Sequence, residues 1–289
     1  MEYIPEGKSY SWNLWYRDKN SEEYLELSKA TLIKHARALM TLQKKGSIVF
    51  DYGNQLREQA ERYGLSMRKK DGTFVYPGFI ETYIRPLFCE GIGSFRWTVL
   101  SGLKKDLLTI DNALVNAFPN KPALKRWVEK AQNQINILGL PTRVCWLGYN
   151  ERAKMGSIIN QLVKSGKVAT PIAIGRDQID CGSVASPSRE TKNMLDGSDA
   201  VADWPLLNFS LNAISGASWV CFQQGGGAGI GNSLHTGMLV VADGTRDKEK
   251  RLELVLTNDP GLGIARHVDA GYKVASKFAK ANRVHLPKK

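Results

Sequence analysis

The sequence predicts an α/β fold, in which strands alternate with helices. A run rich in β-forming residues at 142–148 is followed by an amphipathic helical pattern at 151–167 and by a second apolar run at 170–175. This strand–helix–strand order is typical of a parallel α/β unit. Two more strands are predicted at 219–222 and 238–242. Together these segments favour one α/β core over an all-helical or all-β protein.

The composition is that of a globular protein. The 289 residues are 43% hydrophobic and 24% charged, within the usual range for folded chains. No apolar run approaches the roughly 18 residues of a membrane span, and the N-terminus lacks the pattern of a secretory signal. The four cysteines are widely spaced and include no C-x-x-C pair. We therefore expect reduced thiols, a cytoplasmic location and no membrane partner.

The net charge of +12 raises the question of a nucleic-acid partner. Residues 271–289 hold six lysines or arginines and no acidic residue, which supplies half of this excess. A basic helix face in contact with solvent explains such a run. Because no zinc finger, RNP-type motif or helix-turn-helix pattern accompanies the charge, we expect no nucleic-acid partner. Small anionic substrates suit a basic protein equally well.

The N-terminal part of the chain predicts one long helix and one strand. The helix spans 21–45, with Asn20 as its N-cap and Gly46 at its end. The strand at 47–53 should deliver Asp51 and Tyr52 to its carboxyl end.

Residues 76–97 form the least regular part of the sequence. This stretch contains two prolines, three glycines and six aromatic residues, and it predicts an ordered loop region. The remaining periodic segments predict helices at 121–138, 204–215, 247–256 and 268–282, the second of them buried.

The glycine-rich run GGGAGIG at 225–231 follows a predicted strand, yet it does not fit a dinucleotide-binding loop. The spacing G-x-G-x-x-G requires glycine at position 230 or 232, where Ile230 and Asn232 stand. A strand follows the run, whereas the dinucleotide motif requires a helix. A hairpin loop and a loop whose backbone approaches a ligand both remain open.

Side chains that could carry chemistry are scattered, and each has a structural alternative. The histidines lack metal-ligand spacing, so no metal site is predicted. His235 is the best functional histidine, although a structural hydrogen bond explains it as well. On local evidence Cys145, in an apolar strand, is a core residue. Arg96, Arg176 and Arg189 could each bind a carboxylate or phosphate, or form structural ion pairs.

Two runs of residues carry a more specific signal. The segments RDQIDCGSVASPSRETKNMLDGSDAVADWPLLN at 176–208 and SGASWVCFQQGGGAGIG at 215–231 resemble the signature region of urocanase. Further blocks resemble urocanase in the order of that family, and they lie at 50–54, 83–97, 140–148 and 257–272. The resemblance covers nearly the whole chain.

The resemblance implies a lyase of histidine degradation. Urocanase adds water to urocanate and yields 4-imidazolone-5-propanoate, with tightly bound NAD+ as an electrophile. It also implies a homodimer and an α/β core of the urocanase type over 76–289. Residues 1–75 would then be the segment that returns from the NAD-binding domain. The Rossmann-type NAD segment itself would be largely missing from this chain.

The resemblance assigns roles to individual residues. Cys145 matches the active-site cysteine of the family, which replaces the core interpretation above. The matching cofactor-contacting positions are Tyr3, Ile4, Tyr52 and Gly227.

A second set of positions matches the substrate end of the urocanase site. Arg96 and Arg189 resemble arginines that bind substrate, and Asp177 resembles a polar active-site residue. His235 belongs to the same glycine-loop block and is a secondary candidate.

The sequence departs from the family pattern in three ways. Family members are much longer, so we expect a truncated or split enzyme that is completed by an N-terminal urocanase half. Gln223–Gln224 replaces two histidines, and Cys181 replaces a serine. The alternative is a non-catalytic urocanase paralogue that serves as a binding or structural partner. The chain alone is expected to turn over little urocanate.

Overall fold

The computed structural model describes residues 10–52, 55–224 and 233–286. Contacts divide the chain into two compact units, Met1–Tyr83 and Ile84–Lys289. The boundary expected from the sequence, between residues 75 and 76, lies within the first unit. Among the described residues, no helix combines the length and apolar character that a membrane crossing requires.

The first unit is mainly helical. Its helices are α1 (Tyr10–Lys19), α2 (Ser21–Lys44) and α3 (Leu56–Arg62). Helix α2 is the helix predicted over 21–45. The strand predicted over 47–53 is wrong for its described residues, 47–52, which meet no neighbouring strand and make an isolated bridge from Asp51 to Gly78. Apolar alternation alone does not form a strand when no partner continues the ladder.

A buried arginine fixes the segment that ends at Tyr52. The Arg57 side chain donates from Nε to Asp51 Oδ2 over 2.8 Å and from Nη1 to the Tyr76 carbonyl over 3.2 Å. The guanidinium also lies over the Phe74 ring, 4.6 Å from its centroid. Because Arg57 and Asp51 are both buried, this pair holds the adjoining backbone in place.

In the part of the chain that the structure describes, the second unit contains a six-stranded sheet and most of the helices. Its strands are β1 (Gly93–Val99), β2 (Thr142–Leu147), β3 (Ile172–Gly175), β4 (Val184–Ala185), β5 (Trp219–Gln224) and β6 (Leu234–Ala242). A π-helical turn, Ile80–Ile84, leads into it. Its α-helices are α4 (Arg85–Cys89), α5 (Lys104–Ala117), α6 (Pro122–Gln134), α7 (Tyr149–Lys164), α8 (Asp203–Ile214), α9 (Arg246–Asp269) and α10 (Lys273–Ala281). Strands alternate with helices, which confirms the α/β class.

Strand β1 corrects the expectation for residues 76–97, which were predicted as a loop. It pairs antiparallel with β2 on one side and with β3 on the other. Strands β2 and β3 therefore run parallel to each other, as expected, but β1 separates them and every pairing in the sheet is antiparallel. The glycines and prolines around β1 hid its alternation of buried and outward residues from sequence reasoning.

Strand β6 organises the other half of the sheet. Its residue His235 pairs with Val184 of β4 and also with Gln223 of β5. Strands β4 and β5 therefore occupy opposite edges of β6. Strand β3 shares the β4 edge, since Leu239 pairs with both Gly175 and Trp219. The loop between β3 and β4, residues 176–183, consequently starts and ends along one edge of β6.

The sheet has one apolar face and one face that carries polar residues. Phe95 of β1 pairs with Cys145 of β2, and directly paired residues share a face. This is the core face, to which helices α5, α6, α7 and α9 contribute buried side chains. Ser94, Arg96 and Thr98 alternate with the core residues and lie on the other side, which we call the open face. Register places His235 on the open face too.

Helix α9 continues where the sequence predicted its end. It runs unbroken from Arg246 to Asp269 although Pro260 lies inside it, so the predicted stop at residue 256 is wrong. A proline normally breaks a helix because it removes one hydrogen bond and crowds the preceding turn. Here Asp259 is tied to Arg176, and Gly263 packs against Gly182. These contacts hold both sides of the proline.

Helix α8 is the predicted helix at 204–215, but its buried stripe is polar. Asn208 and Asn212 are fully buried, whereas Leu206, Leu207 and Ile214 are exposed. The helix was predicted to be buried, and in the structure only its polar side is. The two asparagines face inward because each donates a hydrogen bond to a buried carboxylate on α9.

Candidate functional site

The candidate site begins where β3 ends against β1. Arg96 of β1 pairs with Gly175, the last residue of β3. Two residues later the Asp177 backbone N–H donates to Ser94 Oγ over 2.6 Å, and the Asp177 carboxylate forms an ion pair with the Arg96 guanidinium. The Arg96 side chain is 45% exposed. The structure thus brings two predicted substrate residues together at the rim of the open face.

Arg176 anchors this loop and has no donor left for a ligand. It makes five hydrogen bonds, to the Asp259 carboxylate twice, to Asn208 Oδ1, and to the carbonyls of Thr236 and Asp177. Its side chain is only 1% exposed. Because an arginine has five N–H donors, this guanidinium is saturated. The structural ion pair is thus confirmed for Arg176, which fixes the position of the adjacent Asp177.

The carboxylate that receives Arg176 belongs to a buried network. Asp259 also accepts from Asn208 and Asn212, each over 2.9 Å. Although burial opposes ionisation, the Arg176 guanidinium holds the pKa of Asp259 well below its usual range. A second buried arginine, Arg152, pairs with Asp180 in the same loop. Two buried ion pairs therefore fix the loop that carries Asp177.

Arg189 lies in the loop after β4. Its Nε is 3.8 Å from Glu190 Oε2, and its side chain is 31% exposed while that of Glu190 is fully buried. Burial raises the pKa of Glu190, and the charge of Arg189 opposes this shift. The Glu190 carbonyl accepts from the buried Arg85 over 2.9 Å, which fixes the backbone here. Arg189 therefore stands on a rigid part of the loop with its guanidinium accessible.

His235 lies on β6 within electrostatic reach of these groups. It is 1% exposed. Burial lowers the pKa of His235, the positive charge of Arg189 lowers it further, and Asp177 opposes both. Neither ring nitrogen has a hydrogen-bond partner in the described part of the chain. The structural hydrogen bond considered for this histidine is therefore not supported.

Cys145 does not join this group. It is 3% exposed and lies on the core face, whereas the paired register places Arg96 on the open face. Burial raises the pKa of the Cys145 thiol to about 12, which keeps the thiol protonated at neutral pH. The catalytic role implied by the resemblance stays a prediction. In this structure the residue has the surroundings of a core cysteine.

A cavity borders Cys145 at the edge strand β2. It has a volume of about 640 Å³ and is lined by Lys121, Pro122, Ala123, Leu124, Trp127, Val144, Cys145 and Trp146. Lys121 and the first residues of α6 line the same cavity as the thiol, and the charges of Arg152 and Lys121 act to lower the pKa of Cys145. Lys121 is 2.6 Å from Glu151. Because burial outweighs these charges, the cysteine stays neutral.

The predicted cofactor positions fall largely outside the described residues. Tyr3, Ile4 and Gly227 lie there, and Tyr52 is the position that can be placed. Its ring is 38% exposed and stacks on Phe79, with centroids 6.0 Å apart. It also lines a cavity of about 460 Å³ with Phe50. An exposed aromatic ring at a cavity of this size fits the planar ring of a dinucleotide.

Two departures from the family pattern can be placed in the structure. Gln223 is the β5 partner of His235, on the open face. Cys181 is buried, and the Cβ of an alanine at Gly263 would lie 2.1 Å from its sulfur.

Sequence reasoning did not identify Glu190 or Ser94 as parts of the site. The signal available for Ser94 was its spacing, because it lies two residues from Arg96 and so shares a strand face with it.

Comparison with known families identifies two domains in the chain. Residues 86–281, more than half of the chain, match the urocanase C-terminal domain, and residues 1–83 match the urocanase Rossmann-like domain. The two matches meet where the contacts divide the chain, after Tyr83. The matched C-terminal region contains Arg96, Asp177, Arg189 and His235. This chain belongs to the urocanase family.

Proposed function

We propose that this chain acts as a urocanate hydratase, which adds water to urocanate and yields 4-imidazolone-5-propanoate. The observation that carries the proposal is that Asp177, the ion-pair partner of Arg96, acts with Arg189 on His235 through its charge, in a member of the urocanase family. Two arginines with accessible guanidinium groups suit a small carboxylate. Urocanate carries such a carboxylate on its propenoate arm.

The proposed roles follow from the contacts. Arg96 and Arg189 bind the propenoate carboxylate. Asp177, whose Oδ1 accepts from the Ile179 N–H over 3.1 Å, keeps Arg96 in place and offers a carboxylate for proton transfer. Arg176 holds this loop rigid through its buried bond to Asp259, so that the reacting groups stay aligned.

NAD+ is the cofactor that the family implies. Tyr52 would hold one of its rings, and the predicted contacts at Tyr3, Ile4 and Gly227 belong to the same proposal. When bound, NAD+ supplies a positively charged nicotinamide that acts as an electrophile. We also propose a cytoplasmic homodimer or a complex with an N-terminal urocanase half, and the four unpaired cysteines support the cytoplasmic location.

The alternative is a non-catalytic paralogue that binds a urocanase-like partner. The burial of Cys145 and its raised pKa favour this alternative, since a protonated core thiol cannot act as a nucleophile. The two proposals differ in one measurable respect, because the paralogue binds its partner without consuming urocanate.

The loss of urocanate absorbance in the presence of NAD+ tests the proposal. Turnover is measured for the chain alone and for the chain mixed with a polypeptide that carries the urocanase dinucleotide fingerprint. We expect turnover in at least the second mixture, and a decrease of about 100-fold or more for Arg96→Gln or Arg189→Gln, since each removes a charge-assisted bond.

The matched control is Arg251→Gln, which removes an exposed arginine of α9 that pairs with Asp247 on the same helix. This variant should retain wild-type turnover. If neither mixture consumes urocanate, the paralogue proposal replaces the enzyme. If Arg189→Gln and Arg251→Gln lose the same share of turnover, the assignment of Arg189 to the substrate site is wrong.

A further inference from the structure

The site holds a buried histidine whose ring nitrogens have no hydrogen-bond partner among the described residues. Nδ1 and Nε2 of His235 are both unpaired there, and the residue is 1% exposed. Leaving a buried polar group unpaired is costly, so this histidine calls for an explanation. A ligand group that bonds one of its nitrogens would supply it.

The surroundings of His235 indicate which ligand group completes it. Burial and the positive charge of Arg189 lower its pKa, so the ring is neutral and carries one N–H donor and one acceptor nitrogen. A donor that stands close to a guanidinium needs an acceptor, preferably an anionic one. A ligand N–H group would instead add a donor to a place that already holds the imidazole N–H and the Arg189 guanidinium. The environment therefore favours a carboxylate over an imidazole N–H at this position.

The fold also places His235 with the groups that bind anions in the proposed function. Register puts His235 and Arg96 on the same face of the sheet, with Arg96 at the level of Leu239 and His235 nearer the start of β6, between β4 and β5. Asp177, the ion-pair partner of Arg96, acts on His235 through its charge. A carboxylate bound by Arg189 would therefore lie within electrostatic reach of the unpaired imidazole.

We propose that His235 is a substrate-binding residue that donates its single N–H to the carboxylate of the bound imidazolyl carboxylate, beside Arg189. This inference rests on the proposed function and deepens it, because it assigns one end of the substrate to one side chain. Glu190 stabilises the arrangement by pairing with Arg189.

The test compares His235→Phe with the wild type in two binding measurements by titration calorimetry with NAD+ present. The probes are urocanate and its carboxamide, which keeps the imidazole and lacks the negative charge. We expect His235→Phe to weaken urocanate binding about 10- to 100-fold, the effect of losing one hydrogen bond to a charged group. The affinity for the carboxamide should change by less than about threefold.

Conservative variants and thermal stability separate this role from a structural one. His235→Asn and His235→Gln place an amide donor near Nδ1 and Nε2 respectively, and one of them should restore most of the affinity for urocanate. The melting temperature of His235→Phe should equal or exceed that of the wild type, because the variant removes two unpaired buried nitrogens. If the phenylalanine variant folds poorly, the smaller His235→Leu is judged by the same two binding measurements.

The outcomes distinguish this inference from the proposed function. If the wild type does not bind urocanate, the proposed function fails and the inference fails with it. If the wild type binds urocanate and His235→Phe binds it equally well, the inference alone is wrong. Equal weakening of urocanate and carboxamide would assign His235 to the imidazole end and overturn the carboxylate assignment.

Discussion

The substitution Asp259→Asn tests whether the buried ion pair beneath the site holds the loop in place. The Asp259 carboxylate accepts from Arg176 over 2.8 and 2.9 Å and from Asn208 and Asn212 over 2.9 Å each. An asparagine keeps one acceptor oxygen and turns an NH₂ group toward donors. Breaking a buried pair in this way costs about 3–5 kcal/mol of unfolding free energy. For a domain of this size the melting temperature should fall by roughly 6–20 °C.

The assay is urea unfolding followed by far-ultraviolet circular dichroism. The control is Asp247→Asn, the same substitution on the same helix at an exposed pair with Arg251, which should cost less than about 1 kcal/mol. The pKa of Asp259 is depressed in the folded state, so its contribution is complete above about pH 4 and is lost as the pH falls further. Equal, small losses in both variants would refute the assignment of Arg176 and Asp259 as the anchor.

Three further predictions concern single residues. Burial lowers the pKa of His267 to about 3, below its ordinary value of about 6.5. The free energy of unfolding should therefore fall by up to about 1.4 kcal/mol per pH unit between pH 6 and pH 4. In pH-dependent unfolding, His267→Asn should flatten that slope. In native alkylation followed by peptide mass spectrometry, the half-buried Cys221 should react well before Cys145, and rapid labelling of Cys145 at neutral pH would contradict its burial. Gly263→Ala should lower the melting temperature although alanine favours a helix by about 1 kcal/mol, because the new Cβ would lie 2.1 Å from the Cys181 sulfur, and an unchanged melting temperature would contradict this contact.

Elements with strong local periodicity were predictable from the sequence. Helices α2 and α7 and strand β2 show a clear period, which the structure follows. Strand β1 was missed because its identity depends on two neighbours rather than on its own glycine-rich surroundings. The buried side of α8 could not be read either, since Asn208 faces inward only to meet Asp259, 51 positions along the chain.

The candidate site residues came from the resemblance and stay a prediction, whereas their geometry could not be derived from the sequence. The resemblance to urocanase pointed to Arg96, Asp177 and Arg189, and the pairing of β1 with β3 then brought Arg96 and Asp177 together. Because side chains alternate along a strand, a shift of one residue separates Cys145 on the core face from Arg96 on the open face. The absence of partners for His235 among the described residues depends on atoms from several segments, which a one-dimensional pattern does not contain.

Equilibrium binding of urocanate to the wild type and to Arg189→Gln, with NAD+ present, tests the central claim most directly. The claim is that the open face of the sheet binds the substrate carboxylate through Arg96 and Arg189. It predicts that the wild type binds urocanate and that Arg189→Gln binds it at least about 10-fold more weakly, while Arg251→Gln is unchanged. Equal affinity of all three proteins for urocanate would contradict it.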